Sequence, residues 1–97
     1  NNFDQEINKD KPVVVEFYTT ACSHCKKLAG ALNKLSEEKG DDVFFGKCNI
    51  DQEALLQSRF DISAVPTLLF IKNGEIKNRL VGEVHPLIIQ EEIKKLA

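Results

Sequence analysis

The sequence has no tryptophan and no methionine, and only one tyrosine, three prolines and three cysteines among its 97 residues. Three cysteines are too few for the disulfide framework that staples small secreted domains. No run approaches the ~18 apolar residues needed to span a bilayer, and no signal-peptide pattern is present. A strong charge of one sign is missing too. The formal net charge is −2, and the basic residues are scattered and usually answered by nearby acids, as in Glu37-Glu38-Lys39. Nucleic acid and anionic membrane are therefore not expected partners. Repeats, low-complexity tracts and linkers are also absent, so residues 1–97 read as one small domain able to bury a single core. The expected location is the cytoplasm. The start at Asn1-Asn2, without a methionine, leaves a periplasmic or secretory compartment open if a leader lies upstream.

What is there is concentrated in Cys22-Ser23-His24-Cys25, between an apolar strand-like run and a helix-like one. Helical neighbours at i and i+3 have Cβ atoms roughly 5–6 Å apart, close enough for a disulfide after a small backbone adjustment. A bond that opens and closes in place points to thiol–disulfide exchange. A static disulfide and half of a zinc site are the competing readings. Two thiolates and one adjacent histidine on a single turn cannot surround a tetrahedral ion, and no second cysteine pair completes the set. No metal or other cofactor is expected.

Residues 3–9 read as a short helix with Phe3 and Ile7 on one face, ended at Lys11-Pro12. Residues 12–19 are almost continuously apolar, as in a strand buried on both faces. The helix opened by the cysteine motif carries Cys25, Leu28, Leu32 and Leu35 on one stripe, and Gly40 is placed to end it. Residues 43–50 read as a second buried strand, with Cys48 as a small core hydrophobe facing away from the motif. Asp51 is expected to cap a helix containing Leu55, Leu56 and Phe60, and Asp61 to take the left-handed position after it. Residues 67–72 and 75–81 are strands joined by Asn73-Gly74, a strong hairpin signal. Lys77 and Arg79 suit a sheet edge. His85 reads as a loop or cap residue. Residues 86–97 form a helix with Ile89, Ile93 and Leu96 inward and a Glu91–Lys95 pair. The order α, β, α, β, α, β, β, α implies an α/β fold: a mixed central sheet with helices on both faces.

Taken together, the chain resembles the thioredoxin superfamily. The resemblance rests on Val15-Glu16-Phe17-Tyr18, Cys22-Ser23-His24-Cys25-Lys26, Lys47 with Asn49-Ile50-Asp51, Val65-Pro66-Thr67, Lys72-Asn73-Gly74 and Val81-Gly82. It implies a thioredoxin fold with four strands, or five if the usual N-terminal strand lies upstream. Departures are informative. Ala21 stands where thioredoxins usually have tryptophan, and Ser23-His24 stands where they have Gly-Pro. There the chain is closer to protein disulfide isomerase domains. Gly30 occupies the place of a common helix-kinking proline.

As the first residue of a helix, Cys22 is the expected nucleophile, its thiolate stabilised by unpaired N–H groups and the helix dipole. Cys25 is the resolving thiol. His24, with Ser23 beside it, is expected to tune the couple by donating to the Cys22 thiolate, which makes a stronger oxidant. Glu16, an acid in an apolar strand, is a candidate proton acceptor for Cys25. By the resemblance, Lys47 partners Glu16 in a buried pair, and Pro66 is a cis-proline that turns Val65 toward an extended substrate. Ala21, Val65, Pro66 and Gly82 then form the substrate-docking surface. The resemblance implies a monomer that reduces or exchanges protein disulfides, with electrons from a dithiol donor such as a thioredoxin reductase. The alternatives are an oxidising or isomerising domain and a non-enzymatic docking module.

Overall fold

Two strands lie buried on both faces, β1 (Val13–Tyr18) and β3 (Thr67–Lys72), and they form the middle of a four-stranded sheet. The computed structural model describes residues 10–96; the helix expected over residues 3–9 and any fifth strand lie outside them. The sheet order is β2-β1-β3-β4, with β2 spanning Phe44–Asn49 and β4 spanning Glu75–Val81. β1 runs parallel to β2 and antiparallel to β3, and β3 runs antiparallel to β4. The helices are α1 (Ser23–Lys39), α2 (Ala54–Arg59) and α3 (Pro86–Leu96).

Alternation along the strands sends residues to two separate cores. Val13, Val15 and Phe17 join Cys48, Leu56, Phe60, Ile62, Leu69 and Ile71 on the α2 face. Val14 joins Leu28, Leu32 and Leu35 of α1, and Ile89, Ile93 and Leu96 of α3, on the other. Glu16 shares the parity of Val14 and so faces α1, the helix that carries the cysteine pair. This is what sets the acid beneath the motif.

Turn chemistry falls where the residues direct it. Gly40 takes φ 57° and its N–H caps Ser36 O, closing α1 before a single 3-10 turn at Gly40–Asp42. α1 runs unbroken through Gly30. Asp61 is left-handed at φ 56°, and Asn73 and Gly74 both have positive φ, the pattern of a tight hairpin turn. A register shift opposite Phe70/Ile71 leaves Lys77 outside the β3–β4 ladder.

Three expectations need correction. β2 is an edge strand among the described residues, and within it only Cys48 is fully buried while Lys47 is exposed. An apolar run does not by itself tell a central strand from an edge; Phe44 and Phe45 pack half-buried against opposite cores. Asp51 does not cap α2. The N-cap is Glu53, whose side chain makes no capping hydrogen bond, and the preceding turn is held by Asn49, whose Oδ1 accepts from Asp51 N–H at 2.9 Å. Finally, Glu91 pairs with Lys94 and Glu92 with Lys95, three residues apart. Asn78 draws Glu92 toward β4 with a 2.6 Å hydrogen bond, which sets that arrangement.

Arg79 does more than guard an edge: its guanidinium donates to Phe60 O at 2.5 Å and Asp61 O at 3.2 Å, tying β4 to the end of α2. The α2-face core is centred on Phe17, which is fully buried and tilted against Phe60 at 5.9 Å. Phe17→Ala should destabilise the protein by about 3–5 kcal/mol, read as a lowered urea midpoint.

Candidate functional site

β1 ends at Tyr18, and the chain turns through Thr19 and Thr20 into α1. Cys22 N–H donates to Thr19 O at 3.3 Å, which closes the turn. Cys22 is the N-cap of α1 and not its first helical residue: its φ and ψ are −86° and 110°, and its Sγ accepts from Cys25 N–H at 3.1 Å. A sulfur thus takes the position where a serine or aspartate oxygen would satisfy an orphan helix donor. Cys22 and Cys25 are joined as a disulfide, with Cα atoms 5.2 Å apart. Cys25 is 2% exposed and Cys22 is half-buried, so the two sulfurs differ in access.

Below Cys25 lies a cavity of about 300 Å³ whose walls include Glu16, Tyr18, Cys25, Ala29 and Lys47. Glu16 is 1% exposed, and its Oε2 has no hydrogen-bond partner. Burial pushes its pKa up to about 7, against a smaller opposing pull from the Lys47 charge. The expected buried pair takes a different form. Glu16 and Lys47 are register partners across β1 and β2, but Lys47 lies on the exposed edge and acts through its field. An edge strand leaves the ammonium in water, where its hydration is retained.

The remaining site residues come from distant segments. The Val65–Pro66 peptide is cis. Pro66 O accepts from Gly82 N–H at 2.8 Å, which joins the loop before β3 to the loop after β4. Gly82 has φ 93°, a conformation that side chains rarely adopt. Val65 is half-buried, and Ala21 and Ser23 are exposed. His24 does not stand alone beside the cysteines: its Nδ1 meets Glu83 Oε1 at 2.5 Å. Nothing in the sequence marked Glu83, an acid after a glycine, 59 residues from its partner. His85 caps α3, its Nδ1 accepting from Leu87 N–H at 3.1 Å. Cys48 is a buried free thiol on the opposite core. No group of three or more metal-ligating side chains occurs among the described residues, and none of their helices is long and apolar enough to cross a membrane.

Glu16 imposes a pH dependence on folding. Between about 4.5 and about 7 the folded protein holds a proton that the unfolded chain releases. Stability on this account is full below the lower value and is lost as pH rises through the upper one, by on the order of 3 kcal/mol. Glu16→Gln should flatten that decline, as measured by urea denaturation across this range.

Comparison with known proteins places these features in a family. The Thioredoxin family model matches residues 1–95. Thioredoxin-1 of Saccharomyces cerevisiae is 38% identical over 93 residues, covering 96% of this chain and 88% of that protein. The mitochondrial thioredoxin of Mus musculus is 36% identical over 96% of this chain, which spans 56% of that longer protein. Among solved structures, the oxidized form of mitochondrial thioredoxin 3 from Saccharomyces cerevisiae superposes with a TM-score of 0.87 at 29% identity, covering 98% of this chain and 88% of that one. Further relatives have chloroplastic names, so the family is found in more than one compartment. The chain therefore belongs to the thioredoxin family, and the cysteine pair at the entrance to α1 makes it a protein-disulfide oxidoreductase.

Proposed function

We propose that this protein is a reductase-type thioredoxin whose Cys22–Cys25 couple is somewhat more oxidising than that of a Gly-Pro thioredoxin. The observation that carries the reading is the asymmetry of the couple: a half-buried Cys22 at a helix N-cap, and a buried Cys25 above an acid with one oxygen left without a hydrogen bond. In the reduced protein the Cys22 thiolate attacks one sulfur of a substrate disulfide, forming a mixed disulfide and expelling the other substrate sulfur as a thiolate. Glu16, across the cavity, takes the Cys25 proton. The Cys25 thiolate then attacks Cys22 Sγ, releasing the second substrate thiolate and closing the intramolecular disulfide. A carboxyl poised at about 7 suits this transfer near neutral pH, and Lys47 biases it toward the ionised form.

Substrate docks beside Cys22, on the surface of Ala21, Val65 and Gly82; Pro66, expected on that surface, is fully buried and instead turns the backbone at Val65. With alanine at position 21 the surface lacks a large aromatic anchor, which favours shallow contacts with varied protein disulfides. Electrons return from a dithiol donor such as a thioredoxin reductase, and a monomer suffices for the cycle. A reducing compartment such as the cytoplasm is the setting this chemistry implies. One feature favours a second reading, an oxidising or isomerising role: His24 replaces a proline that has no donor to offer.

Cys25→Ser should accumulate the mixed disulfide with a disulfide-linked peptide, seen as an adduct by mass, while Cys22→Ser forms none. Glu16→Gln should slow resolution of that adduct by about 10-fold or more at neutral pH, in stopped-flow traces. The potential of the couple should lie between the reference value of about −270 mV for thioredoxin and about −200 mV, and a higher value would shift the assignment to the second reading.

A further inference from the structure

The His24–Glu83 contact bridges the cysteine motif and the loop that also carries Gly82. Both side chains are exposed to solvent, by 63% and 46%. The loop is nonetheless held in place, because the neighbouring Gly82 N–H is bonded to Pro66 O and His85 caps α3. We propose that Glu83 is a positioning residue that counteracts His24, holding the Cys22–Cys25 couple at a more reducing potential than the Cys-Ser-His-Cys motif alone would set. This inference deepens the reductase reading and rests on it.

A carboxylate only accepts hydrogen bonds, so the 2.5 Å contact puts a proton on His24 Nδ1 and directs it at Glu83. In the neutral ring that proton is the only one. Nε2 is then an acceptor and has nothing to donate to a Cys22 thiolate. In the protonated ring Nε2–H can donate, but the positive charge is matched at once by the adjacent carboxylate. Either way the stabilisation of the reduced state that an unbridged histidine would supply is diminished. The hydrogen bond from His24 holds the Glu83 carboxyl below its ordinary value, and Lys27 adds to that pull, so the acid is ionised at neutral pH. Lys27 alone answers part of its charge from α1; no other charged side chain is found bonded to the pair among the described residues.

The test is equilibration of the wild type, Glu83→Ala, His24→Ala and the double variant with glutathione. Two glutathione thiols reduce the Cys22–Cys25 disulfide to two cysteine thiols and become one glutathione disulfide, so the equilibrium constant reports the couple directly. Removing the carboxylate frees the imidazole to donate to Cys22. Glu83→Ala should therefore shift the constant toward reduced protein by about threefold to tenfold, tenfold being about 30 mV. In the His24→Ala background the same change should have less than about half that effect on a logarithmic scale. An unchanged constant, a shift toward the disulfide, or an equal shift without the histidine would each overturn the proposal. The reductase reading is judged separately, by the potential of the wild type.

Discussion

Burial of β1 on both faces is the constraint from which the site follows. A strand in the middle of the sheet cannot drift in register, since a slip of one residue would exchange its two sets of side chains between the cores. Val14 and Glu16 are thereby held on the α1 side, and Val13, Val15 and Phe17 on the α2 side. The same register determines where the strand stops. Past Tyr18 the chain leaves the sheet, and the N–H groups of the next helix need partners. Cys22 Sγ supplies one, so one sulfur of the redox pair is built into the helix cap and is held there by backbone geometry.

Glu16 breaks the apolar rule that every neighbour in its strand obeys. A buried carboxylate with a bare oxygen costs stability, and the nearby cation is too well hydrated at the sheet edge to offset it fully. Exchanging the acid for an apolar residue would relieve that cost without disturbing the pairing of β1. Local violations of this kind are expected at functional sites and scarce elsewhere. The cavity supplies the complementary feature, since it places the buried acid and Cys25 on the walls of one space.

How far such features can be read from residue order depends on their range. The strands, the hairpin at Asn73-Gly74, the left-handed Asp61 and the stop at Gly40 were all legible, because each is set by a few adjacent residues. So was the cysteine pair, whose chemistry depends on a spacing of three. The edge position of β2 was not legible, because burial there depends on which strands come to lie beside it. For the same reason Lys47 was expected in a buried pair and is instead exposed on the rim. The cap at Glu53 and the turn held by Asn49 show a nearer failure: several polar residues compete for one role, and small differences in geometry select among them.

Glu83 is the extreme case. No local pattern singles it out, and its partner is 59 residues away. What brings the two together is the fold itself: β4 pairs with β3, the cis-proline loop receives the Gly82 N–H, and the next residue is delivered to the first turn of α1. The residues between the cysteines therefore do not have a chemical character of their own. His24 beside a neutral or apolar loop would have its N–H free for another partner, whereas His24 beside Glu83 has its Nδ1 proton already engaged. On the proposal for Glu83, the redox poise of this Cys-Ser-His-Cys turn belongs to the turn and the facing loop jointly.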